Sequence, residues 1–475
     1  MSRDQEYSAC SFLCLSSIDA GITKVCKAWR LVPRPDAGAG ASRTCNIRRM
    51  PQTRLAWNAA RNGWLMKDWL ETGWVLRLRE QLRKMWVRVI LYSLAGVALA
   101  LVAPLFGPVL NYIPKIDLAA GSVDALLNII ATTMLAVTTF SMSIIVGAYG
   151  SATSNATPRA TRLLEEDRTA QNAVSIFIGS FLFSIVGIVG LSAGFYPGDA
   201  RVLLFVATLG DIALIAWALV RWVSHLNEFG RMSDIISRIE QASLRPAQKY
   251  RDRPALGAVP QTDALPEGLP LVASDLSGYV RYVDVEALQF IAEQLGIKVE
   301  IRRMPGKYVH RGEALLRLTD AVDDEGAAVL RAAFVLGEAR SFDQDLAYGL
   351  TVLCEVASKA LSPGINDPGT AIEVLRAGTR VLEVLHGEHD KQAEVTFDLV
   401  YAPPLDAAEV YSAFFAPIAR DGAALLEVQE TLLDCLAAVE RFGDSVAARR
   451  EMERVRQRAR AALSEVWELE VLSRS

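Results

Sequence analysis

The sequence predicts an integral membrane protein that is mostly α-helical. We expect four transmembrane helices, followed by a cytoplasmic α+β region with a small β-hairpin or barrel-like element and a helical remainder. Hydrophobic residues make up 51% of the 475 residues, and the mean hydropathy is +0.22 although 22% of the residues are charged. A positive mean at this charge content means that the apolar residues are gathered in long runs. Four such runs lie between residues 86 and 223, and basic residues flank them alternately.

The charge and the cysteines argue against other classes of protein. The net charge is −4 and the isoelectric point is near 5.8, so we expect no nucleic-acid partner, which would need a basic surface. The six cysteines are scattered and lack the spacing of a disulfide scaffold or a zinc site. The sequence also lacks the common nucleotide-binding, zinc-protease and serine-hydrolase motifs. We therefore expect no enzyme activity, no metal and no cofactor.

The first 63 residues differ from the rest of the chain. They hold four of the six cysteines and contain no apolar run long enough to cross a bilayer. Met50 and Met66 both offer later starting points. We interpret residues 1–63 as a disordered or mis-assigned extension, and residues 64–85 as a basic cytoplasmic helix that leads into the membrane.

Four apolar runs approach or exceed the roughly 20 residues needed to cross the hydrocarbon core. They cover about residues 86–113, 123–150, 173–196 and 201–223, and a helical extension continues the membrane domain to residue 245. Each run is expected to be a helix, because a backbone in lipid must satisfy its own hydrogen bonds.

The distribution of lysine and arginine predicts the orientation of these spans. Basic residues are frequent before the first span, between the second and third, and after the fourth, and they are scarce in the other two loops. Both termini are therefore predicted to lie in the cytoplasm, with the lipid bilayer as the main partner of the chain. The basic residues that decide this are Arg77, Arg79, Arg83, Lys84 and Arg88, then Arg159, Arg162 and Arg168, then Arg221, Arg231, Arg238 and Arg245.

The second span carries one continuous face of small or hydroxylated side chains. Such a face lets helices approach closely in lipid, and its hydroxyls can bond across the contact. It is also suited to line a narrow polar path. The sequence leaves both interpretations, packing face and pore face, open. The residues of this face are Thr132, Ala136, Thr139, Ser143, Gly147 and Gly150.

Asp211 lies near the middle of the fourth span. A carboxylate at the bilayer centre costs about 2.5–3.5 kcal/mol on insertion scales, and such residues usually face the protein interior and have a functional role. The alternatives are a protonated side chain bonded to a serine or threonine of the second span, or a shifted span that places Asp211 nearer an edge.

The remaining chain is predicted to fold as a separate cytoplasmic region. Residues 246–270 are rich in proline and charge and read as a linker, and residues 271–475 as an α+β domain. Alternating apolar residues near 279–285 and 299–301 indicate strands, and the phrase PGKYVHRGEALL (residues 305–316) is typical of a barrel-sandwich hairpin. Helices are expected at about 325–338, 344–361, 368–386, 407–419, 421–441 and 445–472, with a strand near 394–401.

Several phrases of the sequence resemble a family of bacterial predicted membrane proteins known as domain of unknown function 2254. They are FSMSIIVGAYGSATSNATPRATRLLEEDRTAQN, PGKYVHRG, ARSFDQDLAYGL and ALSPGINDPGTA, within residues 85–475. The resemblance implies a bacterial inner-membrane location and no established activity. In the last phrase, Asn366 and Asp367 can cap a helix or bind a polar ligand, and capping is the simpler explanation. The candidate motif residues are Pro158, Arg159, Arg340, Asp345, Ser362, Pro363, Asn366, Asp367 and Pro368.

Two functions are compatible with these features. The first is a homo-oligomeric channel or transporter-like assembly, in which the second span lines an axis and the cytoplasmic region regulates it. The alternative is a membrane-anchored sensor or scaffold without transport activity, in which the second span packs within the bundle and the cytoplasmic region binds a ligand or protein.

Overall fold

Four apolar helices form a bundle in the amino-terminal part of the chain. A computed structural model describes residues 85–102, 120–165, 167–196, 198–260, 265–387 and 395–474. The predicted extension 1–63, nearly all of the predicted basic helix 64–85 and the end of the predicted first span lie outside these residues. The apolar helices are α1 (Met85–Val102), α2 (Ala120–Asn155), α4 (Arg168–Ser192) and α5 (Gly198–Leu226), with the short helix α3 (Pro158–Glu165) between α2 and α4.

Three of these helices, α2, α4 and α5, are long and apolar enough to cross a membrane. Helix α1 is apolar but has only 18 residues in the described chain. Helix α2 has 36 residues, about 54 Å at 1.5 Å per residue, so it is longer than a hydrocarbon core of about 30 Å. All three long helices extend beyond at least one end of the predicted span. Apolar content identifies the part of a helix that lies in the hydrocarbon core, and it does not identify the polar turns that continue the helix.

Helix α4 is the central helix of the bundle. Half of its most apolar stretch is buried inside the protein, compared with 28% for α2 and 22% for α5. Helix α1 crosses it closely, since a Cβ atom added to Gly96 would lie 2.7 Å from the carbonyl oxygen of Gly179. Small residues thus allow the two backbones to touch, which is a typical helix contact in lipid.

The helical extension after α5 is interrupted. Gly230 has φ of +77°, a left-handed conformation that suits glycine, and a new helix, α6 (Met232–Asp252), begins two residues later. Helix α6 includes residues 246–252, which the sequence analysis assigned to a linker, and Pro246 is buried inside it. A turn at Pro254–Gly257 and strand β1 (Ala258–Pro260) follow. The predicted linker is therefore wrong over these residues, because packing of α6 outweighs the helix-breaking tendency of one proline.

Two small sheets follow instead of one barrel-like hairpin. The five-stranded sheet has the order β1, β8 (Phe397–Ala402), β4 (Val299–Ile301), β6 (Ala314–Leu318), β2 (Leu271–Ala273), and β8 runs parallel to both β1 and β4. The three-stranded sheet has the order β5 (Tyr308–Val309), β3 (Gly278–Val283), β7 (Phe334–Gly337). Strands β5 and β6, expected to form the hairpin, lie in different sheets: β5 pairs with β3, and β6 pairs with β2 and β4.

Two helices pack with these sheets, α7 (Val285–Leu295) and α8 (Asp324–Ala332). The predicted helix 325–338 is wrong in its second half, where β7 forms an antiparallel pair with β3. This strand buries Phe334 in the sheet core, a tertiary contact that overrides local helix propensity.

The other carboxyl-terminal helices share one apolar core with the membrane-helix bundle. Residues as distant as Ile130 of α2 and Val455 near the carboxyl end belong to it. The helices match the predicted positions closely, except that the predicted helix 445–472 is divided in two. They are α9 (Leu346–Ala360), α10 (Pro368–His386), α11 (Ala407–Asp421), α12 (Leu426–Phe442), α13 (Ser445–Ala462) and α14 (Val466–Arg474).

Candidate functional site

The small-residue face of α2 is exposed along its whole length. All six of its members, from Thr132 to Gly150, are exposed in the single chain. A Cβ atom added to Gly147 or Gly150 would meet no atom within 4 Å. The hydroxyls of Thr132 and Thr139 donate to carbonyl oxygens of their own helix, Asn128 and Leu135, at 2.9 Å. This face therefore does not pack within its own bundle, and its two threonine hydroxyls are satisfied by their own helix.

Asp211 lies in the contact between α4 and α5. The Ser180 hydroxyl of α4 donates to Asp211 Oδ1 at 2.6 Å. The Asp211 Oδ2 atom is buried and has no hydrogen-bond partner among the described residues. One of the alternatives for Asp211 was a bond to a hydroxyl of the second span; the structure places the hydroxyl partner on α4, the third predicted span.

A buried polar cluster joins the ends of α4, α5 and α6, and we call Asp167, His225, Asp234 and Arg238 the Asp167 cluster. The Asp167 carboxylate accepts from the Ala170 N–H at 2.7 Å, capping α4, and from Arg238 Nη1 at 2.6 Å. His225 Nε2 lies 3.1 Å from Asp167 Oδ1. Arg238 also donates to Asp234 Oδ1 at 2.8 Å. Only 6% of the Asp167 side chain is exposed, so the cluster is a desolvated connection between the bundle and α6.

The Asp167 cluster was not predicted from the sequence. Its members are 71 residues apart at most and no spacing rule relates them. One signal was available, since an aspartate directly before an apolar helix is a common N-cap. That signal identifies the capping role of Asp167 and does not identify its partners.

The motif residues are arranged around one helix, α9. Arg159 of α3 forms an ion pair with Glu355 on α9. The Lys359 ammonium of α9 donates to the Thr153 carbonyl oxygen of α2 at 3.1 Å. Pro158 begins α3 and so fixes the position of Arg159. Polar contacts thus connect α9 to the helices that emerge from the bundle.

Arg340 and Asp345 hold the beginning of α9. Arg340 forms a two-point pair with Asp345, with Nε at 2.6 Å and Nη2 at 2.9 Å from the two carboxylate oxygens. Asp345 is buried and also accepts from the Tyr348 N–H at 3.1 Å, capping the helix. A Cβ atom added to Gly306 would lie 2.4 Å from this carboxylate. The Arg340–Asp345 pair therefore places the beginning of α9 against a turn of the β region.

The last motif lies after α9 and begins α10. Asp367 caps α10 through the Thr370 N–H at 3.1 Å and the Thr370 hydroxyl at 2.6 Å, and these bonds lower the pKa of Asp367. Pro368 occupies the first turn of the helix, and Asn366 has φ of +52°. The Ser362 hydroxyl donates to the Lys359 carbonyl oxygen at 2.6 Å, and the next residue, Pro363, is exposed. These contacts favour capping over ligand binding.

A cavity of about 270 Å³ lies between the carboxyl end of α6 and the β region. It is slightly smaller than typical sites for drug-sized ligands, about 300–1,000 Å³. Ala255 and Leu256 beside it have φ of +51° and +62°, a strained conformation for residues other than glycine that is concentrated at functional sites. Among the described residues no group of three or more histidine, cysteine or acidic side chains is arranged to hold a metal. The cavity lining includes Tyr250, Tyr282, Phe397, Lys249, Arg253 and Gln344.

Comparisons with known proteins identify similar proteins in mycobacteria. Uncharacterised proteins of Mycobacterium bovis and of two strains of Mycobacterium tuberculosis are 28% identical over 340 residues, which is 67% of this chain. The chain spans 64% of the length of these curated relatives. No solved structure matches it. A family model described as "Predicted membrane protein (DUF2254)" matches residues 83–438, most of the chain, and confirms the resemblance. The chain therefore belongs to this family of predicted membrane proteins of unknown function.

Proposed function

We propose that the protein is a homo-oligomeric channel or transporter-like assembly of the bacterial inner membrane. The exposed face of α2 carries this proposal. A helix that leaves two threonines, a serine and two glycines uncovered in a single chain has room for a second copy, or for water, along that face. Several copies arranged with these faces toward one axis enclose a narrow path lined by hydroxyl groups.

Each subunit in this proposal has four spans and places both chain ends in the cytoplasm. Helix α1 is the first span: its described 18 residues already measure about 27 Å, and the apolar sequence continues to about residue 113. The alternation of basic and non-basic loops supports the orientation. The carboxyl-terminal region then lies in the cytoplasm and acts as a regulatory domain.

The contacts of α9 provide a route for regulation. Lys359 binds the backbone of α2 at Thr153, and Glu355 binds Arg159 in the next helix. A displacement of α9 would therefore act directly on the end of the proposed path-lining helix.

The double substitution Thr139→Leu and Ser143→Leu tests this function. Both positions are exposed on the α2 face, so we expect the melting temperature to change little and flux to fall at least about tenfold, because four-carbon side chains close a narrow path. The measurement is K⁺, Na⁺, Cl⁻ and proton flux in proteoliposomes. Thr133→Leu is the matched control: Thr133 is exposed on α2 outside the face and bonds its own helix, so flux is retained. A wild-type protein that is monomeric in lipid and conducts none of these ions would contradict the proposal.

A membrane-anchored sensor or scaffold is the second candidate, and the cavity beside α6 favours it. A small ligand held against Tyr250 and Arg253 would contact α6, the helix that carries Arg238 of the Asp167 cluster. In that case the α2 face serves only as a contact between subunits, and Thr139→Leu with Ser143→Leu would dissociate the oligomer. Neither candidate function is enzymatic.

A further inference from the structure

We propose that Asp211 and Ser180 form a proton-binding site inside the membrane-helix bundle. The proposal rests on contacts within one chain and does not depend on the α2 face lining a path. Asp211 is the fourteenth of the 29 residues of α5, so about 20 Å of helix separates it from either end. A carboxylate at this depth is far from the water at both ends of the helix.

The hydrogen bonds at Asp211 are incomplete. The Ser180 hydroxyl donates to Oδ1 at 2.6 Å, and the buried Oδ2 atom has no partner among the described residues. Ser184 is fully buried, and its hydroxyl also has no partner there. It lies one turn from Ser180 on α4, and a Cβ atom added to Gly187, three residues further on, would lie 3.0 Å from Leu127 of α2 and 3.8 Å from Leu204 of α5. The Asp211 carboxylate is therefore held by a hydroxyl at Oδ1, and its buried Oδ2 atom has no partner among the described residues.

A proton fits this arrangement better than a metal cation. A cation removed from water needs several oxygen ligands, and the contact observed at Asp211 offers one carboxylate and the Ser180 hydroxyl. The nearby Thr208 hydroxyl is occupied, since it donates to the Leu204 carbonyl oxygen at 2.7 Å. A proton needs only one oxygen: binding at Oδ2 removes the charge and creates an O–H donor, and release leaves a carboxylate held by Ser180.

Charged groups are distant from Asp211 in every helix packed at this site. Arg201 and Arg221 are each ten residues away on α5, about 15 Å along the helix. Tyr92 of α1 is an uncharged titratable residue near this level, and its backbone lies against Gly179. In sequence, the other titratable residues of these helices are Arg88 on α1, Asp124 and Tyr149 on α2, Arg168 on α4, and Asp199 and His225 on α5.

Labelling with dicyclohexylcarbodiimide tests the site. This apolar reagent enters lipid and reacts with protonated carboxyl groups, and Asp211 is partly exposed on the bundle surface. The full chain in liposomes is labelled between pH 5 and pH 9, and the modified peptide is quantified by mass spectrometry. We expect labelling at Asp211 that decreases as the pH rises, because only the protonated carboxyl group reacts. Asp211→Asn should lose the label, and Asp124→Asn should leave it unchanged.

Ser180→Ala provides a second measurement in a protein that is expected to fold normally. Removing the only observed donor to the ionised carboxylate should increase labelling at the alkaline end of the range about tenfold. A folded wild-type protein without label at Asp211, a label that does not depend on pH, or labelling of Ser180→Ala identical to that of wild type would each overturn the proposal.

Discussion

Replacing Asp167 with alanine is expected to lower the free energy of unfolding by about 3–5 kcal/mol. The substitution removes the N-cap of α4 and leaves Arg238, whose side chain is only 21% exposed, without one of its two carboxylate partners. The larger cost is the largely buried guanidinium, which keeps only its pair with Asp234, since a lost cap alone costs about 1 kcal/mol. Thermal and denaturant unfolding in detergent micelles, followed by tryptophan fluorescence, measures the change.

Asp444→Ala is the matched control for this prediction. Asp444 caps α13 through the Val446 and Ala447 N–H groups at 3.0 Å, and no ion pair of this residue was found in the described chain. We expect a cost of about 1 kcal/mol there. If both variants lose the same free energy of unfolding, Asp167 acts only as a helix cap, and its buried pair with Arg238 contributes nothing to stability.

The Asp167 cluster also predicts how stability depends on pH. Burial by itself would raise the pKa of the Asp167 carboxyl, but hydrogen bonds from His225, the Ala170 N–H and Arg238 outweigh burial and lower the pKa from 3.8 to about 2. Because the folded-state pKa is the lower one, this stabilisation is fully present above pH 3.8. It is lost as the pH falls through about 2. Between these two pH values, the free energy of unfolding of Asp167→Ala should therefore depend less on pH than that of the wild-type protein.

The membrane helices could be predicted from the sequence because their signal is local. A run of about 20 apolar residues is sufficient to identify a span, and α2, α4 and α5 lie where such runs lie. The beginning of α10 was predictable for the same reason, since Asp367 and Pro368 form a cap and a first turn within two residues.

The errors occurred where distant residues decide the structure. Strand β8 joins β1 and β4 in parallel across more than 90 residues, and no local pattern encodes that pairing. Likewise, Pro246 predicts a break by its chemistry, and it is the burial of α6 against other helices that keeps the helix intact.

Individual residues of the candidate site could be predicted from the sequence, and their arrangement in space could not. Asp211 and the α2 face stand out from the sequence alone, because polar groups are rare in apolar runs. Their partners are not visible there: Ser180 is 31 residues from Asp211, and Glu355 is 196 residues from Arg159. The family phrases locate important segments, and only the fold shows that three of them meet along α9.

Replacing Asp345 with asparagine is expected to cost about 3 kcal/mol of unfolding free energy. Asparagine keeps an acceptor for the Tyr348 N–H and nearly the same shape, so the loss measures the charge that holds Arg340. Arg340 stacks 5.0 Å from the Tyr348 ring and is mostly buried, so it is left as a poorly compensated cation. Unfolding in detergent micelles gives the value, and Asp323→Asn, at the exposed cap of α8, should cost less than about 1 kcal/mol.

Adding Arg340→Met to Asp345→Asn distinguishes two possible causes of the lower free energy of unfolding. If the cost comes from an unpaired buried charge, removing the guanidinium as well should restore most of the stability, because methionine keeps the apolar contact with Tyr348. If the pair itself stabilises the contact between α9 and the turn at Gly306, the double variant should remain as unstable as Asp345→Asn. We expect restoration, since replacing both members of a buried ion pair is commonly neutral while removing one is not. Flux measured on the stable double variant then shows whether this pair, in addition to holding the fold, transmits movement from the β region to α9.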